Sequence, residues 1–185
     1  MGCVGVIAIQ GDYARHGEAF RTLGIETREV RTPEDLRGCE RIILPGGEST
    51  TIGMLMRRTG LLDALRSEIL AGLPAWGTCA GMIMLAHEVD GGGGPWLDVL
   101  DVAVRRNAFG RQIHSFEGEV EIAGVGTVTA VFIRAPVVTR VGEGVEVLSE
   151  VEEGVVAVRS GSVLATSFHP ELTGDTRVHA WFATF

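Results

Sequence analysis

Lysine is absent from this chain of 185 residues, and all 16 of its cationic side chains are arginine. This absence excludes Schiff-base lysines, phosphate-loop lysines and serine–lysine catalytic pairs. The arginines are outnumbered by 24 acidic residues, which gives a net charge of −8, and no basic tract is available to neutralise phosphates. We therefore expect no nucleic-acid partner.

Long apolar runs and cysteine pairs are lacking as well. No run approaches the roughly 20 apolar residues of a bilayer-spanning helix, and residues 1–10 lack the features of a signal peptide. We therefore expect a cytoplasmic protein without membrane contacts. The three cysteines, Cys3, Cys39 and Cys79, form no C-x-x-C pair, so neither a disulfide framework nor a zinc site is indicated. No metal and no cofactor are expected.

The N-terminal half alternates apolar runs with amphipathic stretches, and the length favours a single domain over 1–185. Strands are predicted at 3–9, 25–30, 41–44 and 74–76, and helices at 13–23, 61–70 and 80–87. This order predicts a three-layer α/β fold, with a mostly parallel sheet covered by helices. Binding residues are then expected at the carboxyl ends of the strands.

The C-terminal half changes character. Short β-rich runs at regular spacing predict antiparallel strands that extend the sheet, at 99–105, 117–122, 127–134, 145–151, 155–159 and 163–168. A closing helix is predicted at 175–185, with Val178, Trp181, Phe182 and Phe185 on one face. Gly91 to Gly94 lack the ending of a phosphate loop and are interpreted as a flexible surface loop.

The sharpest motif is Gly77-Thr-Cys-Ala-Gly81, between a predicted strand and a predicted helix. It has the spacing of a nucleophile elbow with cysteine in the nucleophile's place. The helix N-terminus favours the thiolate of Cys79, and the amide of Ala80 points toward a developing oxyanion. The alternative is a small buried cysteine that only packs.

Two further motifs follow predicted strands. In His169-Pro-Glu171, an extended backbone would project the imidazole and the carboxylate to the same side, so that His169 acts as a base and Glu171 orients it. A surface turn is the alternative.

In the stretch 45–50 (PGGEST), the glycines let the backbone approach a ligand, and Ser49 or Thr50 is a candidate helix cap. Three ends of one parallel sheet would bring these groups to one rim.

Five strings together resemble the glutaminase subunits of pyridoxal 5′-phosphate synthase, within the class I, triad-type glutamine amidotransferases: LPGGESTT at 44–51, GTCAG at 77–81, RNAFGR at 106–111, FIRAP at 132–136 and SFHPEL at 167–172. The resemblance covers essentially the whole chain. The GTCAG and HPE motifs mark the superfamily, and the other strings narrow it to this subunit. The resemblance implies a class I glutamine amidotransferase fold.

The resemblance also implies roles for individual residues. Cys79 would be the nucleophile, His169 the general base and acid, and Glu171 the orienting carboxylate. Amides of Gly47 and Ala80 would form the oxyanion hole. The glutamine-binding positions of the family fall on Gly47, Glu48, Ser49, Arg106, Ile133 and Arg134. An acidic chain needs a cation for the α-carboxylate of glutamine, which gives the two arginines an independent rationale.

The implied reaction converts L-glutamine and water to L-glutamate and ammonia, and the ammonia would pass to a synthase subunit in a hetero-oligomeric complex. Alternatives are an amidotransferase subunit for another synthase, a cysteine hydrolase, or a non-enzymatic scaffold. His16, His87 and His179 are assigned to helices without a site role, and His114 to a partly exposed position.

Overall fold

Twelve strands and five helices are formed by the residues that the computed structural model describes, 2–94, 96–108 and 115–185. In chain order they are β1 (Cys3–Ile7), α1 (Tyr13–Thr22), β2 (Thr27–Val30), β3 (Cys39–Leu44), α2 (Ser49–Thr59), α3 (Leu61–Leu70), β4 (Ala75–Thr78), α4 (Ala80–Leu85), β5 (Ala86–Asp90), β6 (Leu100–Arg105), β7 (Ser115–Ile122), β8 (Gly126–Ile133), β9 (Val137–Val141), β10 (Glu146–Val151), β11 (Gly154–Ser160), β12 (Val163–Thr166) and α5 (Arg177–Phe182). Two 3₁₀ turns lie at Pro33–Leu36 and Pro170–Leu172.

Ten strands form one mixed sheet in the order β2-β1-β3-β4-β12-β11-β9-β6-β5, with β10 paired to β11. The five strands from β2 to β12 are parallel to one another. From β12 onward the pairing turns antiparallel through β11, β9 and β6. Strands β1, β4 and β12 are buried along their full length, as expected where helices cover both faces of a parallel sheet. The predicted α/β architecture is confirmed.

Alternation of side chains along the central strands divides the core into two layers. On β3, Ile42 and Leu44 belong to the cluster under α2, α3 and α4, whereas Ile43 belongs to the cluster that includes Phe20 of α1 and Phe182 of α5. Successive strand residues point to opposite faces, so the two clusters lie on opposite sides of the sheet. The sheet is thus the middle layer of three.

The C-terminal strands depart from the prediction in two respects. Strand β12, predicted as antiparallel, pairs in parallel with β4 in the middle of the sheet. Strands β7 and β8 pair with each other in a separate two-stranded sheet and do not extend the main one. The buried face of this hairpin packs on the main body through Phe132, whose ring meets that of Phe168 edge-on at 5.7 Å. The main sheet is extended by the predicted strands β6, β10 and β11, and also by β5 and β9, which the sequence patterns did not predict. Among the described residues, no helix is both long and apolar enough to span a membrane.

Candidate active site

Cys79 lies at the junction between β4 and α4, with φ 50° and ψ −103°. A positive φ is costly for a residue with a side chain and is typical of strained functional positions. The flanking glycines allow the junction: a Cβ on Gly77 would lie 2.4 Å from the Gly81 carbonyl oxygen, and a Cβ on Gly81 would lie 2.1 Å from that of Leu44. The elbow geometry therefore requires glycine at both positions.

His169 and Glu171 follow β12, the strand next to β4. His169 Nδ1 donates to Glu171 Oε1 at 2.8 Å, and both side chains are almost fully buried. The expected extended backbone is not maintained, because Pro170–Leu172 forms a 3₁₀ turn directly after His169. The turn nevertheless directs the carboxylate toward the imidazole.

The pKa of His169 is raised to about 10. Burial alone would lower this pKa, but hydrogen bonds to the side chains of Cys79 and Glu171 outweigh it. For Glu171, burial works to raise the pKa, and the His16 ring and the His169 hydrogen bond override it, so the pKa lies below its ordinary value. The geometry thus favours an imidazolium between a sulfur and an ionised carboxylate.

The loop from β3 to α2 closes against the imidazole. A Cβ on Gly46 would lie 2.2 Å from His169 Cε1, so only glycine fits there. The amide of Glu48 donates to the Gln10 side chain at 3.0 Å. Glu48 itself caps α2, since its carboxylate accepts from the amides of Thr50 and Thr51. The prediction that Ser49 or Thr50 is the cap was wrong, because α2 already begins at Ser49 and the side chain of Glu48, one residue before it, reaches forward to the amides of the first turn.

Two cavities adjoin Cys79. One, of about 130 Å³, is lined by all six predicted glutamine-binding residues, together with Cys79, Ala80, Ile83 and Asn107. The other, of about 240 Å³, lies on the His169 side and is also lined by Gln10, Gly11 and Asp12. Neither the Gly47 amide nor the Ala80 amide donates to a backbone carbonyl of the described residues, which leaves both free for an oxyanion.

Two buried polar atoms of the smaller cavity have no hydrogen-bond partner among the described residues: Ser49 Oγ and Arg106 Nε. The rest of the Arg106 guanidinium donates to the Gly93 carbonyl at 2.9 Å and to Thr50 Oγ1 at 3.4 Å. The loop 91–94 therefore supports an arginine of the cavity. An unsatisfied buried polar atom is costly, and a polar ligand would remove that cost.

Comparison with known proteins agrees with this geometry. The family model described as the SNO glutamine amidotransferase family matches residues 6–184. The chain belongs to this family. Several relatives are named pyridoxal 5′-phosphate synthase subunit PdxT. One, from Thermus thermophilus, is 56% identical over 98% of this chain and 96% of its own length. Another, from Carboxydothermus hydrogenoformans, is 49% identical over 97% of this chain and 95% of its own length.

Solved structures support the same assignment. A structure described as a glutamine amidotransferase is 53% identical, covers 98% of this chain and 97% of its own, and has a TM-score of 0.94. A chain of the PurLQS structure from Thermotoga maritima has a TM-score of 0.71 and covers 98% of this chain and 96% of its own. Because its sequence identity is 16%, this likeness shows only that the fold is shared. The class I glutamine amidotransferase fold implied by the resemblance is thus confirmed for this SNO-family chain.

Several residues of the SNO-family site escaped sequence reasoning. Ile83 and Asn107 line the smaller cavity and Gln10 and Asp12 the larger. Asn107 and Arg134 have positive φ values of 49° and 45°, a conformation that asparagine tolerates better than most residues. Ile83 could have been found from its helical spacing, one turn after Cys79. Phe109 to Arg111 of the RNAFGR string, and His114, lie outside the described residues.

Asp12, His169 and Glu171 bring potential ligand atoms within 4.8 Å of one another. Two members of this group, His169 and Glu171, are already joined by the hydrogen bond from Nδ1 to Oε1. His87 was assigned to a helix but lies on β5, where it is exposed and pairs with Asp98 at 2.6 Å.

Proposed function

We propose that this chain hydrolyses L-glutamine to L-glutamate and ammonia, with Cys79 as nucleophile, His169 as general acid and base, and Glu171 as the orienting carboxylate. The observation that carries the proposal is the convergence of these three side chains beside a cavity that has unpaired polar atoms. Family membership supports the same reaction.

In the first step the Cys79 thiolate attacks the side-chain amide carbon of glutamine, and the carbonyl electrons move to the oxygen. The amides of Gly47 and Ala80 donate to this oxyanion. Because His169 Nδ1 is bonded to Glu171, Nε2 of the imidazolium is the acid that protonates the amide nitrogen. The carbon–nitrogen bond then breaks, and ammonia and a thioester remain.

In the second step the neutral His169 Nε2 takes a proton from water as the water oxygen attacks the thioester. Collapse of the tetrahedral intermediate expels the Cys79 thiolate and releases glutamate, and His169 is again an imidazolium. The raised pKa of His169 matches this cycle, since the resting imidazole is then protonated and can serve as the acid of the first step.

Recognition of glutamine is assigned to the smaller cavity. Arg106 and Arg134 would bind the α-carboxylate, and Ser49 Oγ would gain the partner that it lacks. Gly47 and Ile133 would contact the substrate through their backbones. Glu48 contributes mainly by holding the α2 end of the cavity, because its carboxylate is bound to the helix N-terminus.

The relatives' names indicate where the ammonia goes. Since the similar proteins are named subunits of pyridoxal 5′-phosphate synthase, we propose that the chain passes ammonia to a synthase subunit for vitamin B6 biosynthesis, in a hetero-oligomeric complex in the cytoplasm. A chain without lysine cannot itself form Schiff bases, so any such chemistry belongs to the partner.

The test is glutamate release from glutamine by the purified chain, with and without the synthase subunit, beside a Cys79→Ser variant. Release that the partner stimulates, and that the variant abolishes, is the expected result. No release from folded protein in either condition would favour a non-enzymatic scaffold. Release that is indifferent to the partner would keep the glutaminase and favour a different synthase.

A further inference from the structure

Two buried histidines lie behind Glu171, on the side away from Cys79. His16 Nε2 is 3.3 Å from Glu171 Oε2 and 3.3 Å from Thr78 Oγ1. On the other side of the ring, His16 Nδ1 is 3.0 Å from His179 Nε2. Within the described chain, neither Glu171 Oε2 nor His179 Nδ1 has a hydrogen-bond partner. The approach of His16 Nε2 to Oε2 is therefore an electrostatic contact, and the hydrogen bond of Nε2 is the one to Thr78 Oγ1.

An aromatic enclosure keeps water from these rings. Trp76 meets the rings of His16 and His179 edge-on at 5.8 and 5.0 Å, and Phe20 packs on His179 at 5.1 Å. Both histidines are completely buried. Burial lowers the pKa of His16 despite the nearby carboxylate, and burial with the His16 ring lowers the pKa of His179 to about 3. Both rings are therefore neutral, and each carries a single proton.

The contacts select one placement of these two protons. With the proton on Nε2 of both rings, His179 donates to His16 and His16 donates to Thr78 Oγ1, with its N–H also 3.3 Å from the Glu171 carboxylate. The nitrogen of His179 that stays unpaired is then a lone pair and not a donor. With both protons on Nδ1, a nitrogen lone pair of His16 would face the carboxylate at 3.3 Å, and an N–H of His179 would be buried without an acceptor. The second arrangement is costlier, because it repels the anion and orphans a donor.

We propose that His16 is a positioning residue for Glu171, held as the Nε2–H tautomer by His179. The unprotonated Nδ1 of His16 accepts from His179, and the Nε2–H anchors the carboxylate oxygen that His169 does not use. Glu171 then has the hydrogen bond from His169 on one oxygen and the N–H of His16 at 3.3 Å from the other, which holds its plane relative to the imidazole that serves Cys79. This inference rests on the proposed glutaminase activity.

The first test compares His16→Phe with His16→Gln in the complex with the synthase subunit. Phenylalanine fills the enclosure without a donor, and we expect kcat to fall about 30-fold, an effect of the size seen when an outer partner of a metal ligand is removed, with little change in KM. Glutamine returns an N–H near the position of Nε2 and should restore most of kcat. A Phe20→Leu variant, on the same helix one turn later, controls for loosened packing.

Equal kcat for wild type and His16→Phe would overturn the proposal. So would an equal loss in Phe20→Leu, because packing would then explain the effect.

A second measurement does not depend on activity. The ¹⁵N shifts of the imidazole rings in the wild-type chain report the tautomer, and both His16 and His179 should be neutral with the proton on Nε2. A proton on Nδ1 of His16 would overturn the proposal even if the variants lost activity. If the chain released no glutamate at all, this measurement would still decide the proton placement while the proposed function failed.

Discussion

The hydroxyl group of Ser49 is an example of a binding-site group that lowers the stability of the fold. Ser49 Oγ is buried without a partner among the described residues. Removing an unsatisfied buried hydroxyl relieves its desolvation cost, so Ser49→Ala should raise the free energy of unfolding by about 1 kcal/mol. The same change removes a donor for glutamine, and KM should rise about 10-fold, since one lost hydrogen bond costs about 1.4 kcal/mol. Urea denaturation and initial rates measure the two effects.

The matched control is Ser67→Ala on α3, an exposed serine that donates to the Asp63 carbonyl. It should leave KM unchanged and alter stability only slightly. A Ser49→Ala variant that was both less stable and unchanged in KM would contradict the assignment of Ser49 to substrate.

Protonation of His169 makes stability depend on pH. Its pKa is about 10 in the folded chain against an ordinary 6.5. Its contribution is therefore fully present below pH 6.5 and is lost as the pH rises toward 10, because the unfolded chain releases the proton first. We expect the difference in the free energy of unfolding between wild type and His169→Gln to become smaller as the pH rises from about 6.5 to about 10. Denaturation at about pH 6 and about pH 9 tests it.

Ser67→Ala, at an exposed serine, removes no titratable group and is the control; its difference from wild type in the free energy of unfolding should not change with pH. A difference for His169→Gln that stayed constant with pH would mean that the imidazole is not held protonated by its partners.

At the scale of the secondary-structure element, the sequence predicted some strands correctly and others not. Strands β1, β3 and β4 carry apolar runs, and their parallel order followed from alternation with amphipathic helices, whereas β12 was predicted as antiparallel although it pairs in parallel with β4. The strand ends then predicted that Cys79 and His169 would meet. Strand β5 was assigned to a helix because Ala86 and His87 continue the apolar pattern of α4 without a break.

Other features depended on contacts that a linear pattern does not contain. The β7–β8 hairpin has ordinary alternation, and only tertiary packing decides whether it joins the main sheet. His16 and His179 are 163 residues apart, and each looked like an ordinary helical position. Their buried contact with each other, beside Glu171, arises because α1 and α5 cover the same face of the sheet.

Two glycine-to-alanine substitutions in helices should have opposite effects on the free energy of unfolding. Gly81→Ala would push a methyl group against the Leu44 backbone, and it should destabilise the chain by about 3 kcal/mol and reduce glutaminase activity. Gly17→Ala on α1 would make only an ordinary contact with Thr27 at 3.6 Å. It should stabilise the chain by up to about 1 kcal/mol through helix propensity.

Thermal unfolding of the two variants checks both signs. Similar destabilisation by both would contradict the close approach of α4 to β3, because the two changes would then act only through general disturbance of helices.

At the scale of the whole molecule, the smaller cavity joins parts of the chain that are far apart in sequence. Its walls come from the ends of β3, β4 and β6, and from the end of β8 in the separate hairpin sheet. A ligand bound there contacts the parallel half, the antiparallel half and the hairpin together. Binding energy is therefore added to the stability of the fold as a unit, and not to one segment.

Glutamine should consequently protect the Cys79→Ser variant, which retains the cavity but cannot turn over. At about 100 times Kd, binding adds about 2.7 kcal/mol to the free energy of unfolding, which corresponds to about 5 to 10 °C in Tm for a chain of this size. Asparagine, one methylene shorter, cannot place its α-carboxylate at Arg106 and its amide at residue 79 together, and should protect much less. An equal rise in Tm with the two amino acids would show that the cavity does not discriminate between side chains of different length. The assignment of the arginines to the α-carboxylate would then be wrong.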